Sequence, residues 1–368
     1  MRTSTHVRDD DGPDAAAVWV DARSPSSVVH LDVAGAGRPS REVLDAEVAH
    51  LHLEARIGAY VAQQRAHDRL EDLRTGLGAL VGREADDVLL VDGAGTAFAT
   101  LLAGWPLGPG ARVGTVPSEY GANARALRRL ADERDWRLEV LPVDADGRVL
   151  DVPRGLDLVT FPHVASQRGV RQPVEDVLAT GTPLLLDVAQ SLGQTAVPPG
   201  CAAYVGTSRK WLCGPRGIGF AVLDPAVQDV LVEPPTLAPT TGSRGRRWDS
   251  QEAHVAGRVG LAVAVDQWDP AVLPVVHRLA AHARSALDGV AGWSVREPVD
   301  EPTGITTLEG GDPLGTRAGL LEDGFVTAAV PASRADDLAG PVLRVSTAAW
   351  VEPAELDALA GALARRTK

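Results

Sequence analysis

Between residues 88 and 223 the chain carries seven short apolar runs: Val88–Val91, Arg112–Val116, Leu138–Val143, Leu156–Phe161, Leu184–Asp187, Ala202–Gly206 and Ile218–Leu223. They are close to continuous rather than alternating, the pattern of strands covered on both faces. Intervening segments such as Ala122–Asp135 and Val174–Thr180 space their apolar residues as helices do. Strands and helices in alternation predict an α/β fold with a mainly parallel seven-stranded sheet and helices on both faces.

The flanks read differently. Residues 1–26 are polar, acidic and proline-containing, which predicts a flexible tail. Val28–Asp32 reads as a short extended segment, and Arg41 to Val81 as helical. Residues 233–251 are rich in Pro, Gly, Thr and Arg and predict a loop. Glu252–Trp268 resumes as a helix. Beyond it, a helix over Leu273–Leu287, several short strands and a helix over Pro353–Arg366 predict a small α+β unit. The expected division is therefore a large domain over 27–269 and a small C-terminal domain over 270–368.

Composition narrows the partners. A length of 368 residues suits two domains. A formal net charge of -13 argues against nucleic acid or an anionic membrane as the main partner. The sequence has no apolar run long enough to span a bilayer, and the acidic N-terminus lacks a signal-peptide core. Two cysteines, Cys201 and Cys213, form no disulfide framework and suit a reducing cytoplasm. The nine histidines show no ligand spacing with acids or cysteines, so no metal site is expected.

In an open parallel sheet, ligands sit beyond the C-terminal ends of the strands. Asp187, Gln190, Ser166, Tyr120 and the glycines around residue 94 each follow an expected strand, and Lys210 follows another. Singly, each has an ordinary explanation: an aspartate at a strand end often caps a helix, and a lone lysine often faces solvent. As an ordered set they look like the lysine and ring-nitrogen partner of a pyridoxal phosphate enzyme. A lysine that forms a Schiff base needs an unprotonated amine, favoured by burial and cationic neighbours. The cofactor needs a carboxylate beside its pyridine nitrogen to remain an electron sink.

Two segments carry a resemblance. Asp187-Val188-Ala189-Gln190 is similar to Asp-x-Ala-Gln/His, and the run from Thr207 through Lys210 and Gly214-Pro215 to Gly219 is similar to Ser-x-His-Lys-x-x-x-Gly-Pro-x-Gly-x-Gly. Both are motifs of the class V aminotransferase-fold enzymes, the pyridoxal 5'-phosphate group that includes cysteine desulfurases and kynureninases. The resemblance implies the fold type I architecture of pyridoxal phosphate transferases and a homodimer. It implies that Lys210 carries the cofactor and removes the substrate α-proton, that Asp187 pairs with the ring nitrogen, and that Gln190 bonds the phenolic oxygen. Tyr120 takes the place of a ring-stacking histidine. Gly93, Ala94, Gly95 and Thr96 would hold the phosphate at a helix opening, helped by Thr207 and Arg209, the latter in place of a histidine. Arg344 matches the arginine that grips the α-carboxylate, with Ala34 and Gly35 lining the substrate site. Arg247 matches a loop lent to the neighbouring subunit.

The same resemblance bears on the reaction. Persulfide-forming desulfurases need a mobile cysteine on the small domain, and this sequence has none after Cys213. The segments Ala165–Val174, Gly58–Val61, Ser118–Asn123 and Glu252–Ala256 resemble the hercynylcysteine sulfoxide lyase branch of ergothioneine biosynthesis. That branch implies β-elimination from a cysteine S-conjugate sulfoxide, a small amino-acid substrate, to a sulfenic acid, pyruvate and ammonia. Ser166, Gln167 and Arg168 would then lie near the cofactor ring and Tyr60 at the entrance. A desulfinase-like lyase, an epimerase and a kynureninase-like enzyme remain alternatives, as does a cofactor-free binding module.

Overall fold

The computed structural model describes residues 15–233, 244–250 and 252–366. The seven runs pair into one sheet in the order Val88–Val91, Gly219–Leu223, Ala203–Thr207, Leu184–Asp187, Leu158–Pro162, Arg112–Thr115 and Arg137–Val140. Only Gly219–Leu223 runs against its neighbours. Successive side chains along a strand point to opposite faces, and here both faces are cores. Val88 and Leu90 enter one apolar cluster while Leu89 and Val91 enter the other. Leu184 and Leu186 divide from Leu185 in the same way. A strand with an apolar side chain at every position has no face to offer water, so helices must cover both sides.

One face is covered by helices Arg41–Ile57, His67–Ala79 and Val255–Asp266, which supply Val43, Leu73, Leu77 and Leu261. The other is covered by Ala94–Gly104 and Gly121–Arg134, with Phe98, Leu101 and Leu127. The single helical stretch expected from Arg41 to Val81 is three helices. Gly58 breaks it at φ 85°, a left-handed conformation that glycine adopts at little cost. Among the described residues no single helix is long and apolar enough to cross a membrane.

A four-stranded sheet over Ser294–Val295, Ile305–Glu309, Val342–Ser346 and Ala328–Val330 builds the smaller body, with helices Leu273–Leu287 and Pro353–Arg365 packed on its core. Two expectations about the N-terminus change. Residues 15–21 of the expected tail form a helix, because Trp19 is buried against Trp350 and the Arg23 guanidinium lies 3.8 Å from the Trp19 ring centre. The segment after it joins the smaller body rather than the large sheet. Val29–His30 pairs parallel with Phe325–Val326, and Leu31, Val33 and Ala34 bury in the second core. The loop expected over 233–251 lies mostly outside the described residues.

That N-terminal segment also clamps the lysine loop. The Gly37 amide donates to the Arg209 carbonyl at 2.7 Å. A methyl group on Gly37 would sit 2.4 Å from the Lys210 carbonyl oxygen and 2.6 Å from Cys213 Sγ. The loop backbone cannot retreat, since Leu212 is packed in one core and Trp211 and Cys213 in another. Gly37→Ala is therefore expected to destabilise the protein by about 1–3 kcal/mol through overpacking, seen as a lower urea midpoint at unchanged m-value.

Candidate active site

The parallel strands bring the ends of Leu184–Asp187, Leu158–Pro162 and Ala203–Thr207 to one edge, and two adjoining cavities open there. The inner one, about 270 Å³, is lined by Gly93, Ala94, Gly95, Tyr120, Asp187 and Lys210, with Thr207 and Arg209. The outer one, about 380 Å³, is lined by Asp32, Ala34, Gly35, Arg209 and Arg344 among others. Ser166, Gln190, Tyr120, Arg209 and Lys210 face both.

Lys210 keeps part of its surface open to the cavity but is enclosed by protein on all other sides. Burial pushes its amine down to about 7, Asp187 opposes the shift, and Arg209, Arg344 and Arg334 add to it. An amine with a large neutral fraction near neutral pH is available as a nucleophile and a base. Asp187 is held by two donors, the Ala189 amide on Oδ1 at 2.8 Å and the Asn123 side chain on Oδ2 at 2.9 Å. Burial raises its pKa, while Lys210, the Ala189 amide and Asn123 pull it back.

Gln190 is fixed at both ends of its amide. Its Oε1 accepts from the Trp211 indole at 2.9 Å, and its Nε2 donates to the Ala34 carbonyl at 2.9 Å. One Nε2 hydrogen is left over for a ligand oxygen. Arg344 donates to the Ser166 carbonyl at 3.0 Å and to Asp32 at 2.7 Å. Asp32 is thus a site residue that sequence reasoning did not select, 312 positions away from its partner. A Cβ on Gly35 would come within 2.3 Å of the Asp32 carboxylate, which explains the glycine beside it.

At the phosphate end, Gly93 caps helix Ala94–Gly104 without any side-chain hydrogen bond. The first amides of the helix are therefore free to bind an anion. A Cβ added to Gly93 or Gly95 would meet open space, so the cradle is unfilled by protein. Thr96 is exposed and lines neither cavity.

Four further expected residues lie elsewhere. Tyr60 is 80% exposed on helix Ala59–Arg65, because the turn at Gly58 redirects the chain ahead of it. Arg168 is tied to the Ala145 carbonyl at 3.0 Å and to Asp337, and Gln167 is buried behind the cavity on the Ser118 carbonyl. Arg247 pairs with Glu233 at 3.0 Å and with the Gln228 carbonyl, outside both cavities of its own chain. His163 is buried and kept neutral, with burial and Arg171 pushing it down to about 3.

One functional candidate went unselected although its motif was read. Glu119 is buried, and its Oε1 accepts from the Tyr120 amide at 2.8 Å and the Asn123 side chain at 3.2 Å. A single amide thus bridges two buried carboxyls. Burial and the neighbouring Asp187 raise Glu119 to about 8, so it is protonated at neutral pH. The available signal was the spacing of four between Glu119 and Asn123 where a helix begins. A raised folded-state pKa gives stability that is complete below the unfolded value and is lost as pH rises through about 8. Glu119→Gln removes this term, so its melting temperature relative to the native chain is expected to climb across that window.

The class V aminotransferase family model matches residues 29–254. The chain belongs to the class V aminotransferase family. It is 35% identical over 97% of its length, and 94% of the relative's, to a probable hercynylcysteine sulfoxide lyase of Mycobacterium tuberculosis. A cysteine desulfurase of Dickeya dadantii is 26% identical over 65% of each chain. Among solved structures, a cysteine desulfurase of Escherichia coli superposes with a TM-score of 0.83 at 19% identity, covering 95% of this chain and 98% of the other.

Pyridoxal 5'-phosphate is the cofactor of this family, and the donor set fits it. The free helix amides and Arg209 suit a phosphate, the Asp187 carboxylate suits a protonated ring nitrogen, and the Lys210 amine suits an aldehyde.

Proposed function

We propose that this protein is a pyridoxal phosphate-dependent carbon–sulfur β-lyase acting on a cysteine S-conjugate sulfoxide, with hercynylcysteine sulfoxide as the substrate. The observation that carries the reading is a base, a ring-nitrogen carboxylate and a carboxylate-binding arginine meeting at cavities that no cysteine lines. Cys201 and Cys213 are both buried, and burial raises both thiols, Cys201 to about 12. Neither is a nucleophile for persulfide transfer. A sulfoxide needs none, because a sulfenate leaves the β-carbon unaided.

When bound, the cofactor supplies an electron sink for charge developing at the substrate α-carbon. Lys210 Nζ then removes the α-proton and holds it while the β-carbon–sulfur bond breaks. Arg344 would orient the substrate by taking its α-carboxylate in place of Asp32, which keeps the guanidinium aligned beforehand. Tyr120 lines the inner cavity and would offer its ring to the cofactor ring, but carries no imidazole for acid–base work. The relative at 35% identity supports the substrate choice by its name. We further propose a cytoplasmic homodimer in which Arg247 reaches the neighbouring subunit.

Turnover of hercynylcysteine sulfoxide by the holoenzyme tests this. Pyruvate should appear in proportion to sulfenic acid, trapped as the thiol by an added dithiol reductant. Release of alanine from free cysteine, or from kynurenine, in preference to pyruvate from the sulfoxide would overturn it.

A further inference from the structure

The outer cavity carries more positive charge than one α-carboxylate requires. Arg209, Arg317, Arg334 and Arg344 all line it, and its one acid, Asp32, is already paired with Arg344. This stands out in a chain of net charge -13. Arg317 lies on helix Pro313–Glu322, where its Nε donates to the Thr327 carbonyl at 3.2 Å. That bond aims the fork and leaves its two terminal nitrogens without a partner among the described residues. Arg334 ends the short turn Ala332–Arg334 and lies over the Tyr120 ring, 5.3 Å from its centre, with no carboxylate partner among the described residues. It is also near enough to help depress the Lys210 amine.

Unpaired arginine forks at the mouth of a cavity are built to receive planar anions, which they grip through two parallel hydrogen bonds. Arg344 is assigned to the α-carboxylate, and the reacting α-carbon must stay beside Lys210. The remaining forks lie where the far end of a longer substrate would rest. We infer that Arg317 and Arg334 form a second carboxylate subsite, selecting amino-acid substrates whose side chain itself ends in a carboxylate. The assignment of the reacting end rests on the lyase reading, whereas the subsite can be measured apart from any reaction.

The measurement is calorimetric titration of the holoenzyme with unreactive acids: glutarate, adipate and pimelate against the monocarboxylates of equal carbon number. At least one dicarboxylate is expected to bind about 10- to 100-fold tighter than its monocarboxylate partner, with the advantage shrinking at high salt. In the double variant R317Q/R334Q the ratio is expected to fall close to one. Equal binding of mono- and dicarboxylates in the native protein, or a preference that survives in the double variant, overturns the subsite. A kinetic arm compares S-(2-carboxyethyl)cysteine sulfoxide with S-propylcysteine sulfoxide. Higher kcat/KM for the first, lost in the double variant, supports both readings. Tight dicarboxylate binding with no turnover of either conjugate or of hercynylcysteine sulfoxide upholds the subsite and removes the lyase reading instead.

Discussion

Lys210→Ala is expected to lower kcat/KM for the sulfoxide by about 10⁴-fold, the upper end of what a lost general base costs, because the covalent anchor goes with it. The fold should survive, since Leu212, Trp211 and Cys213 hold the loop in its two cores without the amine. Far-ultraviolet circular dichroism should be unchanged while the visible absorbance of the bound cofactor disappears. Wild-type absorbance or turnover in this variant would remove Lys210 from the mechanism. The depressed pKa makes a further demand. Only the neutral amine captures the cofactor, so uptake by the apoprotein should rise with pH through about 7 and then level off. Arg209→Gln removes the foremost cationic contribution to that depression and should displace the profile to higher pH.

Asp187→Asn is expected to reduce kcat by about 10²–10³-fold, the cost of deleting one preorganised electrostatic partner. The substitution keeps shape and burial but removes the carboxylate that we propose pairs with the ring nitrogen. KM should change much less than kcat, because Arg344 and Asp32 at the carboxylate end are untouched. Equal losses in KM and none in kcat would show that Asp187 only packs the cavity. Glu119→Gln serves as the comparison. It alters a neighbouring carboxyl that is protonated already, so at neutral pH it should leave kcat far closer to that of the native protein.

Much of this fold is legible in the chain. Five of the seven sheet strands, Val88–Val91, Gly219–Leu223, Ala203–Thr207, Leu184–Asp187 and Leu158–Pro162, coincide with almost wholly buried runs, because a strand between two helical layers has no face for water, whereas the edge strand Arg137–Val140 is exposed at both ends. Helix Leu273–Leu287 likewise appears with the limits its spacing predicts. Local motifs were legible for a related reason. Asp187 and Gln190 share one strand end, and Lys210 shares one turn with Thr207 and Arg209, so their proximity is set by a few backbone bonds.

Residues whose neighbours are remote were not legible. Asp32 meets Arg344 only because the N-terminal segment pairs with the smaller sheet, and nothing near position 32 announces a partner at 344. Tyr60 and Arg168 resembled site residues by position, yet Tyr60 follows the left-handed turn at Gly58 and Arg168 is engaged by Asp337. Arg317 and Arg334 were passed over because arginine on a polar segment reads as ordinary surface until a cavity is seen beside it. The sequence by itself determined the layered sheet, since periodicity is local, and its two motifs around Asp187 and Lys210 pointed to the cofactor class through their resemblance to the family. Only the tertiary structure decided which charges stand together around them, because Coulomb interactions and burial depend on distance in space rather than separation along the chain.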